Sequence, residues 1–297
     1  MARSRTGTSE RRQPWFRTGY ATGALGAANP SPPTTWDEMA DHLPVTVDGP
    51  IAVLTIDRPE KRNAMTMGMW AALPGVLAPL ATDPAVRVLL VTGAGPCFCA
   101  GADISDLLRG EDPADPMADV RRRNLAAQAA LRNFPKPTVA MIRGHCIGGG
   151  VELATCCDLR FADPTATFGI TPAKVGIVYT PASTKALLDL VGPATTKYLL
   201  YSGELIDAGD ALRTGLVDRL APADRLETEV REFADVLVSR SALTQRATKE
   251  VLAALTAGGD GELHAAARYR ETIAAGELAE GVAAFAERRP PHFPWAG

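Results

Sequence analysis

The chain has 297 residues, 46% of them hydrophobic and 22% charged, with a formal net charge of −3. This is the composition of a soluble globular protein large enough for one sizeable domain or two ordinary ones, and its acidic balance argues against nucleic acid as a partner. No apolar run approaches the roughly 20 residues that span a bilayer, and the N-terminal arginines are not followed by the apolar region of a secretory signal. Five cysteines, an odd number in so long a chain, fit reduced thiols and a cytoplasmic location.

In chain order, residues 1–43 read as an N-terminal tail, rich in Pro, Ser, Thr, Gly and Arg and without apolar periodicity. Two β-rich runs, from Val45 and from Ile51 to Ile56, flank Asp48-Gly49 and predict a hairpin. Residues 66–81 have helical composition, but Pro74 and Pro79 predict a kinked or broken helix. Val86 to Val91 and Thr138 to Ile142 read as buried strands, with a helix over 117–133 between them. A helix to about Cys156 and a strand from Asp158 to Ala162 come next, followed by an irregular stretch over 168–179 and a helix from about Ala182. From Gly192 the chain is mostly helical, over 193–201, 207–214, 222–239, 242–257, 262–275 and 278–288, with a short strand at Leu216 to Leu220. Strand–helix alternation over 44–220 followed by helices over 221–297 predicts an α/β core with a helical C-terminal region.

The chemistry concentrates in Gly144 to Ala154. A β-rich run ends in Gly148-Gly149-Gly150, and Glu152 follows at the opening of a helix. Glycines let the backbone approach a ligand closely, and the first turn of a helix has N–H groups without intrahelical partners. Such a turn suits an oxygen that is becoming an anion, with Glu152 beside it as acid or base. A second glycine-rich loop, Gly93 to Asp103, also follows a buried strand. It is not a dinucleotide fingerprint, because Phe98 stands where G-x-G-x-x-G needs its third glycine and Pro96 lies inside it. One N–H from each loop, converging on one point, makes a two-donor anion hole. Cys97, Cys99, Cys146, Cys156 and Cys157 lack the C-x-x-C spacing of a zinc site and are expected to be buried structural residues. His145 has no visible partner and is given no chemistry.

Four motifs occur in order: Arg58-Pro59-Glu60-Lys61-Arg62-Asn63-Ala64, Cys99-Ala100-Gly101-Ala102-Asp103, Gly148-Gly149-Gly150-Val151-Glu152, and Gly215-Leu216-Val217-Asp218. A fifth, Glu280-Gly281-Val282-Ala283-Ala284-Phe285, lies near the C-terminus. Together they resemble the enoyl-CoA hydratase/isomerase (crotonase) superfamily over about residues 45–293. The resemblance implies a crotonase-like α/β spiral of ββα units with a helical C-terminal trimerisation region. It implies an acyl-CoA thioester substrate, no separate cofactor, and a homotrimer or dimer of trimers. It implies that the N–H groups of Ala102 and Gly149 form the oxyanion hole. Arg58, Lys61, Arg62, Ala64, Ala100, Asp103, Ile104, Gly148 and Pro172 are the implied substrate- or CoA-binding positions. Residues 104–125 belong to the segments that build the pocket wall.

Glu152 matches the first catalytic glutamate of the hydratases, and Pro172 fills the position of the second, which puts two-glutamate hydration in doubt. The segment Thr171 to Tyr179 is more similar to that of methylmalonyl-CoA decarboxylase in the same superfamily and nominates Tyr179 as a catalytic residue; that enzyme has a histidine where this chain has Ala102. Hydration, double-bond isomerisation and decarboxylation of an acyl-CoA remain open, as does a non-catalytic acyl-CoA-binding or scaffold protein.

Overall fold

The structure is a computed structural model that describes residues 42–107 and 115–295. Nearly all of the expected tail, and the centre of the expected pocket wall at 104–125, lie outside those residues. Strands β1 (Val45–Asp48) and β2 (Ile51–Ile56) lead through a 3-10 turn at Pro59–Lys61 to α1 (Met67–Thr82). Strand β3 (Val88–Gly93) is followed by α2 (Ile104–Leu107) and α3 (Ala118–Arg132). Strands β4 (Thr138–Ile142) and β5 (His145–Ile147) run into α4 (Gly149–Cys156). Strands β6 (Leu159–Ala162) and β7 (Thr167–Gly169) run into α5 (Pro172–Val175) and α6 (Pro181–Ser202). Next come β8 (Leu205–Asp207), α7 (Ala208–Thr214) and β9 (Arg219–Leu220), then α8 (Leu226–Val238), α9 (Ala242–Thr256), α10 (Glu262–Ala274) and α11 (Glu277–Glu287).

The larger sheet has the order β1-β2-β3-β4-β6-β9 and is parallel except for the β1–β2 hairpin, which turns at Gly49 with φ 55°. The smaller sheet, β5-β7-β8, is extended by parallel bridges from Cys146 to Cys99 and from Ala102 to Met65. The same step therefore recurs: a strand in the large sheet, a short extended segment in the second layer, then a helix. β2, Met65 and α1 make one such unit; β3, Cys99–Ala102 and α3 the next; β4, β5 and α4 a third; β6, β7 and α6 a fourth. This is the spiral of ββα units that the resemblance implied.

Both faces of the large sheet are covered, which is why its strands are continuous apolar runs. Leu54, Leu89, Val91, Ala140 and Ile142 pack with Trp70, Leu73 and Leu77 of α1 and Ala127 and Leu131 of α3. Val53, Val88, Leu90, Val139 and Met141 pack with Leu226, Val230 and Ala234 of α8. Packing already includes Leu43, which is buried, while the His42 carbonyl accepts the Asp57 N–H at 2.9 Å.

Most predicted elements lie within a few residues of the observed ones. Helix α1 departs from expectation: it runs unbroken through Pro74 and Pro79. Thr66 caps it by accepting the Met69 N–H, and its buried residues, Met69, Trp70, Leu73, Leu77 and Leu80, form one stripe that neither proline occupies. Each proline removes one N–H bond, and burial of that stripe outweighs the loss. The two helices predicted on either side of Gly192 form the single element α6, which bends there through a non-helical Gly192 (φ 72°, ψ 173°). The strand expected at 216–220 shortens to Arg219–Leu220, and β8 was not foreseen.

Candidate active site

The two glycine loops meet in the second layer. Met65 N donates to the Gly101 carbonyl at 2.8 Å, Asp103 N to the Met65 carbonyl at 2.9 Å, and Ala100 N to the Arg62 carbonyl at 2.9 Å. This strip holds Ala102 against the start of α4. A Cβ placed on Gly149 would lie 3.3 Å from Ala102 N and 2.9 Å from Cζ2 of the buried Trp70; one placed on Gly101 would lie 3.4 Å from Gly149 N. Glycine at 149 is thus what allows the two backbones and the indole to approach this closely. The Gly149 N–H is in the first turn of α4 and the Ala102 N–H points out of the parallel bridge, and neither has an acceptor among the described residues. Two adjacent free N–H groups, one of them at a helix N-terminus, can stabilise an oxygen on which negative charge develops.

The strip also carries the expected CoA-binding positions. Arg58 Nη1 donates to the Ala64 carbonyl at 2.7 Å and to Asp103 Oδ2 at 3.1 Å, which ties the Arg58–Ala64 loop to the residue after Ala102. Arg62 and Asn63 take left-handed φ values of 52° and 58°. Asn63 is fully buried, donating to the Ala94 and Cys97 carbonyls and accepting from Arg58 N. Lys61 and Arg62 are exposed at the end of the 3-10 turn, and Ile104 is exposed at the start of α2. Gly148 bonds to the Gly169 carbonyl at 2.8 Å, and Pro172 opens α5 after β7.

Glu152, one turn into α4, is buried. Asn124 Nδ2 donates to its Oε2 at 2.8 Å and Ser183 Oγ to its Oε1 at 2.9 Å, and the Tyr179 phenol is near enough to act on the carboxylate. Burial raises the Glu152 pKa, and the bonds from Asn124 and Ser183, the Tyr179 phenol and the charge of Arg132 oppose the rise without cancelling it. Burial, followed by the Glu152 charge, lifts the Tyr179 phenol well above its ordinary value, so it is neutral and able to donate. The two nominated catalytic residues are therefore neighbours that influence each other's protonation. A buried carboxylate raised toward neutrality beside a neutral phenol can accept and return a proton.

Sequence reasoning missed Asn124, Gln128, Thr180 and Ser183. The signal was present for two of them, since Asn124 and Gln128 fall on the same buried face of α3 as Val120, Ala127 and Leu131. All five cysteines are buried free thiols; burial pushes Cys99 up to about 12 and Cys156 to about 11, so neither is a nucleophile at neutral pH. His145 bonds through Nδ1 to Thr167 Oγ1 at 3.0 Å, and burial lowers its pKa.

Comparison with known proteins points the same way. Residues 46–295 match the enoyl-CoA hydratase/isomerase family model. A Thermus thermophilus protein assigned as an enoyl-CoA hydratase is 37% identical over 253 residues, covering 82% of this chain and 98% of that one. The (E)-benzylidenesuccinyl-CoA hydratase of Thauera aromatica is 34% identical over 84% of this chain and 99% of its own length. The crystal structure of an enoyl-CoA hydratase/isomerase family protein from Hyphomonas neptunium superposes with a TM-score of 0.81 at 36% identity, covering 86% of this chain and 98% of that one. The two neighbouring N–H groups, the buried glutamate and the ββα spiral thus stand in a chain that belongs to the enoyl-CoA hydratase/isomerase family of the crotonase superfamily.

Proposed function

We propose that the protein hydrates the double bond of an enoyl-CoA, with the thioester oxygen held by the N–H groups of Ala102 and Gly149 and with Glu152 as the acid/base group. The observation that carries this reading is the pair of adjacent N–H groups, of Ala102 and Gly149, without acceptors among the described residues, the second of them one turn before a buried carboxylate. Glu152 takes a proton from water while the water oxygen bonds to the β carbon. The electron pair of the double bond moves to the thioester oxygen, giving an enolate that the two fixed donors stabilise without reorganising. Glu152 then returns its proton to the α carbon. One carboxylate completes the cycle, so proline at position 172 does not prevent it. No cofactor is needed besides the substrate's own CoA, which the strip from Arg58 to Ala64 is proposed to contact. The names of the relatives support hydration over isomerisation, which the same groups would perform by moving a proton between carbons.

A second reading is decarboxylation of a malonyl-type CoA, and the nearness of Tyr179 to Glu152 favours it. There the leaving carboxylate would depart as CO₂, the same hole would hold the enolate, and the Tyr179 phenol would give its proton to the α carbon and regain one from water. The two readings separate when the protein is incubated with crotonyl-CoA, a 3-enoyl-CoA and methylmalonyl-CoA and the products are followed by mass spectrometry. Hydration predicts 3-hydroxybutyryl-CoA from crotonyl-CoA; propionyl-CoA from methylmalonyl-CoA would select the second reading; CoA binding without turnover would indicate a non-catalytic scaffold. We also propose a trimeric assembly, for which the sedimenting mass is about three times, or for a dimer of trimers about six times, that of one chain.

A further inference from the structure

Behind Glu152 lies a closed polar cluster in an otherwise apolar core. Gln128 Nε2 donates to Asn124 Oδ1 at 2.7 Å and to Ser183 Oγ at 3.0 Å, and Thr180 Oγ1 lies 2.8 Å from Ser183 Oγ and accepts the Ser183 N–H at 3.1 Å. Asn124, Gln128 and Ser183 are all buried. An amide has one accepting end and one donating end. Gln128 occupies the accepting end of Asn124, so the donating end is the one turned to Glu152 Oε2. Ser183 Oγ lies 2.9 Å from Glu152 Oε1, 2.8 Å from Thr180 Oγ1 and 3.2 Å from Gln128 Oε1, and with its one proton given to the carboxylate its oxygen can accept from Gln128 Nε2. The two bonds that reach the carboxyl oxygens, from Asn124 and from Ser183, both run toward the carboxylate.

We propose that Asn124 and Ser183, oriented by Gln128, are positioning residues that keep Glu152 ionised and so make it the proton acceptor of the resting site. A protonated Glu152 would bring an O–H against a ring of donors, and one member would have to give up a bond to receive it. Reversing Asn124 loses the Gln128 bond unless Gln128 reverses with it, and turning the Ser183 hydroxyl to Gln128 or Thr180 leaves one carboxyl oxygen without its donor. Ser183 is also in the first turn of α6, at the positive end of that helix's dipole, which favours an anion. The other groups facing Glu152 agree. Arg132 on α3 and the Tyr179 phenol favour the anion, and the neighbouring Cys99 and Cys156 thiols are neutral at neutral pH. Burial pulls the opposite way, so the cluster decides whether the site begins with a base or an acid.

This assignment rests on the reading of Glu152 as the acid/base group, yet its test needs no turnover. An infrared pH titration of the full chain follows the protonated-carboxyl band that Glu152→Gln removes. In the parent that band is expected to be absent at neutral pH and to appear only in acid. In Ser183→Ala and Asn124→Leu its midpoint is expected at higher pH than in the parent, and in Ser183→Thr, which keeps the hydroxyl, near the parental value. A protonated Glu152 in the parent at neutral pH overturns the proposal. So does an unchanged midpoint in Ser183→Ala and Asn124→Leu variants that retain the parental circular dichroism spectrum. A parent that titrates as expected but leaves crotonyl-CoA, the 3-enoyl-CoA and methylmalonyl-CoA unchanged contradicts the proposed function and not the positioning role.

Discussion

Glu152 of the α/β core and Glu250 and Glu280 of the C-terminal helices are chemically alike and are treated in opposite ways. Glu152 is buried among Asn124, Ser183 and Tyr179, and burial raises its pKa. Glu250, on α9, is paired with Arg268 at 2.6 Å and with Arg246, and those bonds lower its pKa. On α11, the Arg289 guanidinium and the His292 N–H draw Glu280 down to about 2. Glu250 and Glu280 meet full positive charges near water; Glu152 meets neutral donors in a buried site. The first arrangement fastens helices together. The second carries a penalty of desolvation in the fold and raises the proton affinity of a carboxylate that the site can use as acid or base.

The largest effect that sharpens this contrast is expected at Gly149. Gly149→Ala pushes a Cβ onto Trp70 and the Ala102 amide and so displaces one of the two donors. Steady-state kinetics on the substrate identified by mass spectrometry should show kcat lower by about 10²–10³-fold, the loss typical of one oxyanion donor. A near-parental kcat would remove the paired N–H groups from the mechanism.

The pH dependence of stability separates the two regions next. The folded-state pKa of Glu152 lies above its unfolded value, so the native state binds the extra proton, and the stability Glu152 contributes is present in acid and lost as pH rises through the folded value. Thermal melts of Glu152→Gln against the parent should therefore give a Tm difference, variant minus parent, that grows in the variant's favour as pH rises above about 4.5, the ordinary glutamate value. Glu280 has the opposite sign. Its contribution is present above the unfolded value and lost as pH falls toward about 2. Arg289→Ala should lower Tm at neutral pH and lose that effect in strong acid. A Tm difference for Glu152→Gln that is flat with pH would place the raised pKa in doubt.

The smallest effect is expected at the α9–α10 junction. Arg268→Ala removes the pairs with Glu250 and Glu271, both partly exposed, and should lower stability by about 1 kcal/mol in denaturant titrations while leaving kcat at the parental value. A large loss of activity would mean that the helical region reaches the site in a way its ion pairs do not describe.

The ββα core was legible because its strands are buried on both faces and so form unbroken apolar runs such as Val88 to Val91 and Thr138 to Ile142. The second layer was not, because its members, Met65, Ala102, Cys99 and the three-residue β5, β7 and β8, are too short to carry a period of two. That is also why no internal repeat shows in the sequence. Prolines 74 and 79 misled because a local rule was applied to a helix whose stability comes from its buried stripe. In the site, Gly149, Ala102 and Glu152 were accessible as glycine loops with a carboxylate. Asn124 and Ser183 act only across space, 28 and 31 residues from Glu152, and no spacing in the sequence marks that contact.

The central claim is that Glu152 exchanges a proton at the α carbon of an acyl-CoA whose thioester oxygen rests between Ala102 and Gly149. Turnover of crotonyl-CoA in D₂O, with deuterium at the α carbon read by mass spectrometry in the parent and in Glu152→Gln, tests it most directly. The account predicts 3-hydroxybutyryl-CoA carrying one α-deuterium from the parent and at least about a tenfold slower appearance of that product from Glu152→Gln. α-Deuteration at the parental rate in Glu152→Gln, or CoA binding by the parent without any deuterium incorporation, would contradict it.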